Sequence, residues 1–218
     1  MTDWLFDPAP RASLPIVGEA LRFPVRRVLC VGQNYAAHAR EMGSDPEKQT
    51  PFFFAKPGDA IVSDGQDPAY PPATQNLHHE VELVAAIGEG GAIVGWAVGC
   101  DLTRRDLQAE AKKTGRPWDA AKGFDQSAPC GALTLGPLPD PAAAIALSVN
   151  GQVRQSSTLA DMIWDAAGIV DQVRRLWTLA PGDLIFTGTP EGVGPVVVGD
   201  RVEATIAGLA PLAFTVHG

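Results

Sequence analysis

The sequence predicts a sheet-rich α+β domain. Apolar runs of strand length recur along the chain, Gly and Pro punctuate them, and only three segments carry helix start and stop signals. The 218 residues are 45% hydrophobic with 23 Gly and 19 Pro, enough to bury a core in one domain of ordinary size. Residues 1–24 read as a Pro-rich arm and residues 25–218 as that domain. The 17 Lys and Arg against 25 Asp and Glu leave a formal charge of −8 without a basic cluster. That removes electrostatic support for nucleic-acid or anionic-membrane partners. No apolar run is long enough to span a bilayer, and Met1-Thr2-Asp3-Trp4-Leu5-Phe6 has neither a charged nor an apolar leader pattern, so a cytoplasmic protein is expected. Cys30, Cys100 and Cys130 lack metal-type spacing and read as reduced, buried side chains.

In the arm, Leu14-Pro15-Ile16-Val17 fits an edge strand, where Pro is tolerated. Val28-Leu29-Cys30-Val31 is a strand stopped by Gly32. A short helix follows, with Asn34 as N-cap and Gly43 at C′, and it places His38 and Glu41 on one face. Residues 44–51 form a polar loop and a candidate lid. Phe52-Phe53-Phe54-Ala55 is a strand and Lys56-Pro57-Gly58-Asp59 a turn. Tyr70-Pro71-Pro72-Ala73 then delivers the chain in extended form to residues 76–87, and Gly88-Glu89-Gly90-Gly91-Ala92 suits a tight hairpin.

Thr103 and Asp106 have capping-box spacing before a helix that runs to Gly115 and Pro117. Arg104 and Arg105 in its first turn run against the macrodipole preference, which fits either an anionic target or two solvated arginines. Lys122 lies among small and aromatic residues. Asn150-Gly151 signals a type I′ hairpin. Asp165 can cap a helix with Ile169, Val170, Val173, Leu176 and Trp177 on one stripe, which should pack on the sheet. The last third reads as strand, Gly-rich loop, strand. Thr187-Gly188-Thr189-Pro190-Glu191-Gly192-Val193-Gly194 is no P-loop; its amides and the Thr189 hydroxyl suit a carboxylate, or it is simply a wide hairpin loop. Val196-Val197-Val198 and Val202-Glu203-Ala204-Thr205-Ile206 complete the strands.

Glu80 and Glu82 stand two apart at the entry to an apolar run, so on a strand they point to one face. Two carboxylates held there need a shared proton or a cation, unless that face is a solvated edge. Asp101 ends a second apolar run and can converge on them. Three carboxylates suit a hard divalent ion, Mg2+ or Mn2+, better than Zn2+.

Together these pieces resemble the fumarylacetoacetate hydrolase family. The resemblance covers most of the chain from Val25 to Ile206 and rests on motifs in order: Val31-Gly32-Gln33-Asn34-Tyr35 with His38 and Glu41; Phe54-Ala55-Lys56-Pro57; His78-His79-Glu80-Val81-Glu82-Leu83; Gly99-Cys100-Asp101-Leu102-Thr103-Arg104-Arg105-Asp106-Leu107-Gln108; Ala121-Lys122-Gly123-Phe124-Asp125; and the Thr187 to Gly194 loop. One departure is the short link at residues 88–92, where relatives carry an extra loop. The resemblance implies a mainly β fold with α-helices, a rolled mixed sheet or pseudo-barrel, in a homodimer whose domain 25–218 is catalytic. It also implies a metal held by Glu80, Glu82 and Asp101, and it is closest to the acylpyruvate and fumarylpyruvate hydrolases.

The expected reaction is cleavage of a 2,4-dioxo acid, a small-molecule substrate, at its C3–C4 bond. His38, oriented by Glu41, takes a proton from water, and Lys122 stabilises the oxyanion at the attacked carbonyl. By resemblance, Arg105, Gln108 and Thr189 orient the carboxylate ends. The alternatives are an oxaloacetate decarboxylase or tautomerase using the same metal site, or a non-enzymatic metal-binding domain.

Overall fold

The structure, a computed structural model, describes residues 4–43, 45 and 50–218. The fold is the sheet-rich α+β architecture expected, with four α-helices among the described residues. The arm contributes β1 (Ser13–Pro15) and β2 (Arg22–Pro24), which pair antiparallel. β3 (Arg27–Gly32) leads into α1 (Ala36–Glu41), then β4 (Phe52–Lys56) and β5 (Ile61–Val62). β6 (Leu77–His79), β7 (Val81–Ile87), β8 (Ile93–Cys100) and β9 (Thr103–Arg104) carry the acidic stretch. α2 (Arg105–Thr114) and α3 (Asp119–Lys122) precede the short strands β10 (Ala128–Pro129) and β11 (Thr134–Leu135). The hairpin β12 (Ala144–Val149) and β13 (Gln152–Thr158), α4 (Ala166–Leu176), β14 (Asp183–Phe186), β15 (Gly194–Val196), β16 (Arg201–Ile206) and β17 (Leu212–Thr215) complete the chain.

Six strands form a mixed sheet in the order β11-β8-β7-β14-β3-β4, with β14 parallel to β3 and the other pairs antiparallel. A strand covered on both faces reads as continuously apolar, and β7 behaves this way. Its Leu83, Ala85 and Ile87 enter one core cluster while Val84 and Ala86 enter the other. The first cluster adds the antiparallel sheet β13-β12-β16-β17 and α4; the second is closed by Leu14 and Phe23 of the first two strands. Fully burying side chains such as Ile169 and Val173 of α4 contributes roughly 1.5–3 kcal/mol each. The helix packs on the sheet as its stripe indicates, except that Leu176 is exposed and lies outside the packed stripe.

Two expected caps are corrected. The N-cap of α1 is Tyr35, because the Asn34 amide is used elsewhere: its Nδ2 donates to the carbonyls of Trp164 and Thr187, both at 2.8 Å, and its Oδ1 accepts from Trp164 N at 2.9 Å. No capping box opens α2. Thr103 is buried in β9, donating to Asp101 O, and the helix starts after Arg104, while Asp106 accepts from Thr74 Oγ1 and Gln75 N. Residues 70–73 include a turn, with Ala73 at φ 61°. Val197 and Val198 are exposed and β15 ends at Val196, whereas β17 adds a strand beyond the last one read from the sequence. The Asn150-Gly151 turn has φ 52° and 75°, both left-handed, as a type I′ turn requires.

Candidate active site

The β7–β8 ladder builds the site. Val81 pairs with Cys100 in the antiparallel register, and Asp101 N donates to Glu80 O at 2.8 Å, so the residues flanking that pair are neighbours in space. Glu80 lies between β6 and β7, Glu82 is in β7, and Asp101 follows β8. All three are buried, with carboxylate oxygens within 4.8 Å of one another. The solvated-edge alternative for the two glutamates is therefore excluded.

Cations surround them. Lys122 Nζ donates to Glu80 Oε2 at 2.8 Å and Asp101 Oδ2 at 2.7 Å. Arg105 reaches Glu80 Oε1, Gln108 Oε1 and, at 3.3 Å, His78 Nδ1. Gly188 N, from the Gly-rich loop, donates to Glu82 Oε2 at 2.8 Å. Burial alone would raise the Glu80 pKa, but Lys122 and Arg105 outweigh it and hold the carboxyl below the usual range. Burial would likewise lower the Lys122 pKa, and Asp101 and Glu80 hold it above the ordinary lysine value. Glu82 goes the other way: burial, then the neighbouring Asp101 and Glu80 charges, push its carboxyl well up.

The triad fits a divalent ion on two counts. Asp101 Oδ1 is buried without a hydrogen bond, although Lys56 Nζ lies 2.8 Å away, because the three ammonium protons of Lys56 go to the carbonyls of Leu102, Lys122 and Ser127. Glu82 faces two other carboxylates with one backbone donor, a placement that a shared cation relieves. Lys56, read from the sequence as a turn residue and as part of the Phe54-Ala55-Lys56-Pro57 motif, is 2% exposed and pins the segment that follows β8 to α3.

One cleft of about 320 Å³ is lined by His38, Glu80, Glu82, Arg105, Gln108, Lys122 and Thr189. Asp101 lies under Lys122, and Glu41 stands behind His38 with Oε2 at 3.2 Å from His38 Nδ1. All nine sequence-predicted site residues are thus brought together around this cleft. His38 is buried, and that burial lowers its pKa against the pull of Glu80 and Glu41, so the neutral imidazole is favoured. The candidate lid at residues 44–51 lies largely outside the described residues.

Three further contributors were not singled out. Gln155 accepts from Val81 N, meets His79 Nδ1 at 3.0 Å and donates to Thr189 Oγ1 and Pro190 O, tying the Gly-rich loop to the acidic strand. Lys112 and Trp118 line the cleft mouth. Helical spacing of Lys112 from Gln108 was the one sequence signal that pointed there. The three cysteines are free and buried, with Cys100 and Cys130 thiols pushed up by burial to about 12, which leaves them unreactive.

Among the described residues no helix is long and apolar enough to cross a membrane. The family model for the fumarylacetoacetate hydrolase C-terminal domain matches residues 27–217. A fumarylpyruvate hydrolase from Ralstonia sp. is 42% identical over 183 residues, covering 79% of this chain and 95% of that protein. The mitochondrial oxaloacetate tautomerase of Mus musculus is 40% identical over 203 residues, 88% of this chain and 91% of that one. The crystal structure of fumarylpyruvate hydrolase from Pseudomonas aeruginosa, in complex with Mn2+ and pyruvate, superposes with a TM-score of 0.94 at 49% identity, covering 99% of both chains. With the family model matched over residues 27–217 and Glu80, Glu82, Asp101, His38 and Lys122 gathered at one cleft, the chain belongs to the fumarylacetoacetate hydrolase family.

Proposed function

We propose that this chain hydrolyses the C3–C4 bond of a 2,4-dioxo acid, fumarylpyruvate or another acylpyruvate, to pyruvate and a carboxylic acid. The observation that carries the reading is a buried, Glu41-paired His38 lining the same cleft as Glu80 and Glu82, whose carboxylates converge with that of Asp101 into a group suited to a divalent ion. Glu80, Glu82 and Asp101 would hold a Mg2+ or Mn2+ ion, which would supply Lewis-acid polarisation when bound.

The protein's own residues do the rest. Neutral His38 takes a proton from water and Glu41 holds its ring. The resulting hydroxide forms a bond to the C4 carbonyl carbon. Lys122 spends two of its three N–H groups on Glu80 and Asp101, and the third serves the developing oxyanion. The C3–C4 bond then breaks with its electron pair passing to C3 and the adjacent carbonyl, and the proton carried by His38 returns to C3. Arg105, Gln108 and Thr189 orient the carboxylate ends. Residues 25–218 act as the single catalytic domain with 1–24 as its arm, in a homodimer located in the cytoplasm.

His38→Ala should lower kcat on fumarylpyruvate by about 10²–10⁴-fold while Mn2+ titration calorimetry stays unchanged. A His38→Ala enzyme that keeps wild-type turnover removes His38 as the base. The second reading, oxaloacetate tautomerisation, is favoured by the 40% identical tautomerase. It moves a proton between C3 and the 2-oxo oxygen, consumes no water and forms no oxyanion at an attacked carbonyl.

A further inference from the structure

Gln155 does not line the cleft, yet its side-chain amide decides how Thr189 faces it. Leu147 pairs with Gln155, and the next residue, Ser148, pairs with Val153, so Arg154 is the extra residue of a β-bulge between β12 and β13. A bulge bends its strand and re-aims a side chain. Gln155 is the one buried residue of β13, at 0% exposure. The Gly-rich loop rests on that bulge. A Cβ at Gly192 would lie 2.2 Å from Arg154 O, and the φ of +88° there also favours glycine, so the loop can approach this closely.

Two backbone groups with no choice of role force the orientation of the Gln155 amide. Val81 N can only donate, at 3.1 Å, so Oε1 faces it; Pro190 O can only accept, at 2.9 Å, so Nε2 faces that side. His79 Nδ1, 3.0 Å from Oε1, must then carry the ring proton. Thr189 Oγ1, 2.8 Å from Nε2, must accept. Both N–H groups and both lone pairs of the amide are thereby used. A hydroxyl that accepts keeps its own proton for another partner, and among the described residues no side chain or carbonyl takes it from Thr189. Thr189 lines the cleft. Resting on the dioxo-acid reading above, we propose that Gln155 is a positioning residue that commits the Thr189 hydroxyl to donate into the cleft, where it meets a carboxylate or keto oxygen of the substrate.

The test is a double-mutant cycle on the Mn2+-loaded full chain: wild type, Gln155→Met, Thr189→Val and both together, with KM and kcat measured on fumarylpyruvate and on oxaloacetate. One oriented hydrogen bond corresponds to about tenfold in affinity. Thr189→Val should raise KM by about tenfold and Gln155→Met by about three- to tenfold, with kcat within about threefold throughout. The double variant should be no worse than Thr189→Val alone, because Gln155 acts through the hydroxyl. Thr189→Ser keeps the hydroxyl and should keep both the low KM and its sensitivity to Gln155→Met. Gln155→Glu, which retains the acceptor for Val81 and His79, runs through the same cycle, so loss of folding in Gln155→Met leaves the role testable. KM losses that multiply in the double variant, or a Gln155→Met chain that melts lower with a wild-type KM, overturn the positioning role and leave the hydrolase reading standing. Turnover of oxaloacetate alone overturns the hydrolase reading, and the cycle on oxaloacetate then decides the role of Gln155 by itself. A wild-type chain that turns over neither overturns both.

Discussion

His38 is the residue on which the proposed chemistry turns, and its burial makes a specific statement about pH. Burial disfavours the imidazolium, so its folded-state pKa lies below the ordinary 6.5 despite the Glu80 and Glu41 charges. A base must be unprotonated to act, and the acid limb of the kcat/KM profile should accordingly fall below pH 6.5. An acid limb above that value contradicts the assignment. The same shift has a stability sign: as pH falls through 6.5 the unfolded chain binds the proton first, so His38 progressively destabilises the fold in acid. At this scale the sequence was informative where a residue's chemistry is unusual for its setting, as with acids entering an apolar strand. It gave Lys56 no role, because a lysine beside a turn looks solvated until three carbonyls from distant segments enclose it. Asn34 misled for a related reason. Its type favours a cap, yet its amide has stronger use bridging segments some 130 and 153 positions away in the chain.

Among the elements, α4 was the most legible, since its cap and its apolar stripe are both local. Asp165 Oδ1 accepts from Gly168 N at 2.7 Å, the bond an N-cap makes. Asp165→Ala should lower unfolding free energy by about 1 kcal/mol in urea titration, with turnover retained, because the residue does not line the cleft. A loss below about 0.3 kcal/mol would deny the cap its role. The strand pair β7–β8 was legible for the same reason, as a short link forces antiparallel neighbours. By contrast, Thr103 and Asp106 have capping spacing but lie on either side of a junction where β9 ends and α2 begins, and the hydrogen bonds that place them run to Asp101 and to residues 74–75. Local spacing carries no information about such partners.

Over the whole molecule, the parallel pairing of β14 with β3 positions the Gly-rich loop so that Gly188 N meets Glu82. Runs about 150 residues apart in sequence determine that contact, and a periodicity reading cannot rank such pairings. The family motifs supplied what periodicity lacked, since their order along the chain fixes which runs meet. Charge is also resolved only at this scale. The chain carries −8 overall, yet Arg105, Lys122 and Lys112 line the cleft beside Glu80 and Glu82, so charges of both signs meet there in an otherwise acidic protein. The measurement that tests the central claim most directly is pyruvate release from fumarylpyruvate, run beside oxaloacetate consumption, with Mg2+ or Mn2+ and with a chelator control. Metal-dependent pyruvate release from fumarylpyruvate, abolished by the chelator, is the predicted result; consumption of oxaloacetate with fumarylpyruvate untouched would contradict the hydrolase assignment.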